Sequence, residues 1–195
     1  MSAAIAFGLA DPPLDSQRIF RHLLDAFAHP GKRVPLPLAP EAPAPLYRST
    51  AAVALALLDY ETPLWLDAAS DIVPVQDFLR FHCGAPLVKA IDAARFAIVV
   101  SPATMPRLDA FQQGEAAYPD RSATLILQVP AFSGPKVTLK GPGIERSTSL
   151  AVDGLPADFW RQWADNHAGF PLGVDLVLAT PETVVALPRS IKAEV

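Results

Sequence analysis

Phe170-Pro-Leu-Gly-Val-Asp-Leu-Val-Leu-Ala-Thr180, then Pro181-Glu-Thr183, then Val184-Val-Ala-Leu-Pro-Arg-Ser190 reads as two strands joined by a tight turn. Residues 173–179 form a β-rich run with one charge, Asp175, set inside it. Residues 184–187 form a second apolar run, and Pro181 with Glu182 supplies turn chemistry between the two. Runs this apolar lie in sheets covered on both faces. An ionised carboxylate away from water needs a partner. In a hairpin, the residue after the second strand returns to the level where the first began. Arg189 therefore falls near Asp175, at one end of the sheet. A structural ion pair is the plain reading. The sharper one is that this end of the sheet carries a site.

The rest of the chain alternates helices and strands. Residues 14–29 place Ile19, Phe20, Leu23, Leu24 and Phe27 on one helical face, with Asp15 or Ser16 as cap and His29-Pro30-Gly31 as stop. A short strand over 33–36 leads into a Pro/Ala-rich loop over 35–45, expected to be extended and exposed. Ser49 or Thr50 would cap an all-apolar, buried helix over 51–58. A strand over 64–66 follows, then a helix begun by Pro74 and ended by Gly84, then a buried strand over 95–100. Residues 105–113 read as a short helix closed by Gly114. The strand over 124–129 turns at Ser133-Gly134-Pro135 into 137–140, as a hairpin, and 147–152 pairs again. Residues 158–167 form a helix with Phe159, Trp160 and Trp163 inward, and 191–195 a tail or a strand extension. Interleaved helices and strands with an antiparallel end predict one α/β domain over 1–195, three-layered α/β/α, with a mixed sheet.

Composition narrows the function classes. Of 195 residues, 51% are hydrophobic and only 18% charged, so apolar surface is left over for a second copy or another partner. A net charge of −4 without a basic block disfavours nucleic acid. No run nears the ~20 apolar residues of a membrane span, and residues 1–10 lack the positive start of a signal peptide. The single cysteine, Cys83, forms no intrachain disulfide, and the cytoplasm is the expected compartment.

Known motifs fail on spacing. Gly31-Lys32-Arg33 lacks the earlier glycine and the hydroxyl of a phosphate loop, with Ala26 and Arg33 at those positions. Gly141-Pro-Gly143 is followed by Ile144, Glu145 and Arg146, so the dinucleotide pattern fails as well. It reads as a bulge or turn, or as open backbone that a ligand can approach. His22, His29, His82 and His167 have no metal-ligand spacing, and Cys83 beside His82 reads as a core residue before a catalytic pair. Arg80-Phe81-His82 reads as a helix-end cap, or as a polar cluster facing a phosphorylated ligand or another subunit.

Several stretches together resemble one family. They are Phe20-Arg-His-Leu-Leu-Asp-Ala-Phe-Ala-His-Pro-Gly31, Leu79-Arg-Phe-His-Cys-Gly-Ala-Pro-Leu-Val88, Ala123-Thr-Leu-Ile-Leu-Gln-Val129 and Gly141-Pro-Gly-Ile144, with the Phe170 and Leu187-Pro-Arg-Ser190 stretches quoted first. Their order and spacing are similar to those of the H subunit of the bacterial carbon–phosphorus lyase system, the PhnH family. The resemblance implies a subunit that, with G and I partners and an L protein, supports transfer of ribose triphosphate from ATP to an alkylphosphonate with loss of adenine. It implies homodimers within a G–H–I–J core complex. It also implies a fold like the large domain of pyridoxal-phosphate transferases, with no cofactor. None of Lys32, Lys89, Lys136, Lys140 and Lys192 lies in a Schiff-base context. Two departures stand out: Cys83 replaces a common threonine, and Ser190-Ile191 replaces Thr-Thr. If the chain binds ATP or a phosphonate itself, the expected residues are Arg80, His82, Gly141, Gly143, Asp175 and Arg189.

Overall fold

A computed structural model describes residues 5–37 and 40–194. Residues 38 and 39 of the proline-rich loop, Val195 of the tail and the first four residues of the N-terminus lie outside that description. The hairpin that opens the sequence reading is present as β7 (Asp175–Ala179) and β8 (Thr183–Leu187), antiparallel, with Leu176 opposite Leu187 and Ala179 opposite Val184. It belongs to a six-stranded mixed sheet with β1 (Val34–Pro35), β2 (Leu64–Leu66), β3 (Phe96–Val99) and β4 (Thr124–Gln128), ordered β1-β8-β7-β4-β3-β2. Strands β2, β3, β4 and β7 run parallel.

Period-two alternation sorts the sheet's side chains onto two faces. Ile98, Ile126, Val177, Ala179, Val184 and Ala186 enter one core with α1 (Pro12–Ala28), α2 (Arg48–Leu57) and α3 (Val73–Cys83). Val99, Leu125, Leu127, Leu176, Leu178 and Val185 enter the other, with α4 (Phe159–Ala168) and its fully buried Trp163. A buried Leu, Ile or Val of this kind is worth about 1.5–3 kcal/mol. The α/β architecture and mixed sheet are as expected, but the second face is not covered by helices alone. Alongside α4 lies a second, antiparallel sheet of β5 (Lys136–Lys140), β6 (Thr148–Ala151) and β9 (Lys192–Glu194), ordered β6-β5-β9.

Local departures from the sequence reading have physical reasons. Helix α1 starts at Pro12 because two prolines fit its first turn and Asp11 caps it, accepting a hydrogen bond from Leu14 N, while Asp15 reaches back to Asp11 N at 3.0 Å. Helix α2 starts before its expected caps, so Ser49 and Thr50 are buried inside it. Residues 105–113 do not form a helix. Pro106 has no N–H to give one, and the chain makes single 3-10 turns at Pro102–Thr104 and Leu108–Ala110. Strands β4 and β5 are not a hairpin: both edges of β4 are occupied, by β3 and β7, so the turn at 133–135 carries the chain into the second sheet. The tail is a strand, with Ala193 opposite Leu139. The 35–45 loop is exposed only in part, since Leu36 and Pro40 are buried.

Candidate functional site

Asp175 opens β7, level with Thr124 of β4, and Arg189 lies two residues past β8, so both sit at the amino end of the parallel strands. The carboxylate accepts from Arg189 N at 2.7 Å and from Nε at 3.1 Å on Oδ1, and from Nη2 on Oδ2. Nη1 donates to Pro119 O at 2.8 Å and to Pro171 O at 3.4 Å, and the Arg189 carbonyl accepts from His167 Nδ1 at 3.1 Å. The side chains are only 13% (Arg189) and 19% (Asp175) exposed. These contacts use four of the five N–H hydrogens of the guanidinium. The pair ties the end of β8, the start of β7 and two loops together.

Of the other four expected residues only Gly141 lies next to the pair, and Gly143, Arg80 and His82 are placed elsewhere. Gly141 lies against the Ser190–Ile191 backbone, where a Cβ would come within 3.0 Å of Ser190 O, and its φ is +143°. Gly143, at φ +83°, lies against the end of α1, where a Cβ would overlap Ala28 O. The Gly-Pro-Gly turn thus allows close approach of the chain's own backbone. Beside it, Lys32 and His29 both bind Asp25, and the Lys32 hydrogen bond chiefly holds that carboxyl below its usual value. Arg80 and His82 are at the far end of α3. Arg80 is exposed, 3.9 Å from Asp77. His82 donates from Nε2 to Ala6 O at 3.0 Å and packs against Phe78 at a tilt and against Phe81 edge to face, pinning the segment before α1. Cys83 faces away from it, 3.7 Å from Ala54 O, and burial pushes its thiol up to about 12, so it is no thiolate nucleophile near neutral pH. Among the described residues no three His, Cys, Asp or Glu side chains are grouped to hold a metal ion.

The carboxyl ends of the parallel strands hold the polar residues that the sequence reading passed over. In open α/β sheets, ligands enter the crevice outside these ends, where neighbouring connections leave toward opposite faces. That condition is met between β2 and β3. The chain leaves β2 for α3, in the first core, and leaves β3 for the turn of Leu108 and Phe111, in the second. Buried Asp67 fills this crevice: Oδ2 accepts from Val100 N and Ser101 N, both at 3.0 Å, and Oδ1 from Ser70 N at 3.0 Å and Ser70 Oγ at 2.6 Å. Gln128, at the end of β4, accepts from Tyr47 N at 2.6 Å and donates to Pro45 O at 3.1 Å. Ser49 Oγ donates to Thr180 O at the end of β7. Next to these, an open cleft of about 620 Å³ is lined by Arg33, Pro130, Phe132, Pro181 and Glu182 among others. A polar residue ending an apolar strand, as Asp67 and Gln128 do, was the available signal in the sequence.

The chain matches the family described as bacterial phosphonate metabolism protein (PhnH) over residues 7–194. It is 42% identical over 186 residues, 95% of this chain and 93% of the other, to the alpha-D-ribose 1-methylphosphonate 5-triphosphate synthase subunit PhnH of Rhizobium meliloti. It is 33% identical over 179 residues, 89% and 83% of the two chains, to HtxG of Stutzerimonas stutzeri, provisionally named a C-P lyase subunit protein.

Proposed function

The chain belongs to the PhnH family of bacterial phosphonate metabolism proteins, and from that premise we propose that it is a subunit of a carbon–phosphorus lyase system. In this role it supports transfer of ribose triphosphate from ATP to an alkylphosphonate, with release of adenine. The observation that carries the reading is near full-length identity of 42% to a named subunit of that synthase. The finer parts are a homodimer of single-domain chains, G, I and J subunits as partners, a cytoplasmic setting, and a fold resembling the large domain of pyridoxal-phosphate transferases without the cofactor. In this reading the chain's part is structural or site-sharing.

Surface chemistry supports association. Pro13, Gln17, Phe20, Leu24 and Phe27 follow one another at alternating spacings of four and three, the seam of a helix that packs on another. Phe20 and Leu24 are exposed, and Phe27 half-buried. Phe81, beside Arg80, is also exposed at the end of α3 and adds to the surface open to partners. Among the described residues no helix is long and apolar enough to cross a membrane.

Co-expression of the tagged chain with the G, I and J subunits tests this. A co-purifying complex that supports growth on methylphosphonate as sole phosphorus source is expected. A chain that stays monomeric and captures none of them would refute the reading. Phe20→Glu with Leu24→Glu should weaken association while leaving the monomer folded.

A further inference from the structure

The cleft at the carboxyl ends of β4 and β7 presents two charges of opposite sign. Arg33 donates from Nη2 to Phe132 O at 2.6 Å, and its guanidinium carbon lies 5.5 Å from the centroid of the Phe132 ring. These contacts hold the guanidinium while its Nε and Nη1 hydrogens have no partner among the described residues. Across the cleft, Glu182 sits in a clamped turn. Thr180 N donates to Thr183 O at 2.9 Å, Glu182 O accepts from Leu36 N at 2.9 Å, and Pro181 O accepts from Ser49 N at 3.3 Å. The Glu182 carboxylate is exposed and has no ion-pair partner among the described residues. Between the two charges the lining is Pro35, Pro130, Phe132 and Pro181, rigid and apolar. A volume of about 620 Å³ suits a small molecule.

We infer that this cleft binds a small zwitterion: an oxyanion on the Arg33 guanidinium, an ammonium on Glu182, and a short alkyl chain over Phe132 and the prolines. Arginine's planar fork matches a tetrahedral oxyanion, and its restraint by Phe132 lowers the ordering loss on binding. A dianion without a cation would face Glu182 unpaired, and an amine without an anion would face Arg33, so the charge pattern selects against both. Taking the oxyanion to be a phosphonate rests on the family reading, whereas the charge pattern does not. An aminoalkylphosphonate then fits the cleft.

Isothermal titration of the full chain with 2-aminoethylphosphonate, methylphosphonate, ethylamine and β-alanine tests the inference. We expect 2-aminoethylphosphonate to bind more tightly than the other three. Arg33→Gln should weaken it about 10- to 100-fold, the loss of a charged hydrogen bond. Glu182→Gln, on an exposed turn, should weaken it about threefold and leave methylphosphonate unchanged or tighter. No heat from 2-aminoethylphosphonate at millimolar concentration, or equal binding by methylphosphonate, would overturn the inference. So would unchanged affinity in folded Arg33→Gln. Preference for β-alanine would overturn the phosphonate assignment. Neither variant touches the α1 stripe, so failure here with an intact co-purifying complex refutes the cleft alone, and loss of the complex with binding retained refutes the subunit reading alone.

Discussion

Asp175→Ala is the most discriminating perturbation of the hairpin. It removes the carboxylate that takes three hydrogen bonds from Arg189 and leaves a guanidinium only 13% exposed, with carbonyl partners but no counter-charge. Removing one member of a buried pair destabilises by about 3–5 kcal/mol. Because Pro119 O and Pro171 O still accept from Nη1, the lower end, about 3 kcal/mol, is the expectation. With a urea dependence near 2 kcal/mol per molar, the unfolding midpoint should fall by about 1.5 M. The double variant Asp175→Leu with Arg189→Met replaces the pair by apolar groups and should recover most of that loss, because the penalty of the single variant comes from the orphaned charge. A double-mutant cycle built on Asp175→Leu, Arg189→Met and the two together should then give a coupling of about 2–3 kcal/mol. A midpoint shift below about 0.3 M for Asp175→Ala, together with loss of growth on methylphosphonate, would refute the structural reading and make this end of the sheet a ligand site after all.

Other expectations concern single contacts. Gly143→Ala should destabilise by at least about 2 kcal/mol in urea unfolding, from left-handed backbone strain and overlap with Ala28 O. An unaltered midpoint would mean the turn is free to accept a ligand instead. Gln128→Leu strands Tyr47 N and Pro45 O, and at about 1–3 kcal/mol for each buried unpaired group it should both destabilise the chain and speed proteolysis before α2. Cys83 should react with iodoacetamide at pH 8 about a thousandfold more slowly in the folded than in the unfolded chain, because its thiol is pushed from 9.0 up to about 12. The same displacement is silent below pH 9.0. Above it the unfolded chain loses its proton first, so native stability falls as pH rises, by about 2 kcal/mol at pH 10.5 relative to Cys83→Ala.

The hairpin was legible because its evidence is local. Two apolar runs, a turn at Pro181 and one misplaced charge suffice, and the register then brings Asp175 to Arg189. The exchange of β5 into a second sheet was not legible, since which strand fills an edge of β4 depends on β3 and β7, residues far apart in sequence. The start of α2 was misread for a related reason. Ser49 has the chemistry of a cap, yet its hydroxyl is used on Thr180 O, about 130 residues away, a distance only tertiary structure defines. The site residues divide the same way. Asp175 and Arg189 could be paired from spacing, whereas Arg33 acquires its surroundings from Phe132 and the Thr180–Thr183 turn, neither of which its own sequence neighbours announce.

The two ends of the sheet therefore differ in what their polar groups have left to offer. At the amino end, Arg189 spends nearly all its donors on Asp175 and two carbonyls. At the carboxyl end, the β2–β3 crevice is the usual ligand position for such a sheet, but Asp67 takes its backbone N–H groups and the Ser70 hydroxyl, so an incoming anion would have to displace a buried carboxylate. Leaving that carboxylate without its four donors would cost several kcal/mol. The β4–β7 end, two strands over, has no such plug among the described residues, and there Phe132 holds the Arg33 guanidinium while the Glu182 carboxylate stands exposed on its turn. If this chain touches a small molecule with its own side chains, Arg33 and Glu182 are where the binding energy is still available, and exchanging their charges, Arg33→Glu with Glu182→Arg, should restore part of the zwitterion binding, in reversed orientation, that either change alone loses.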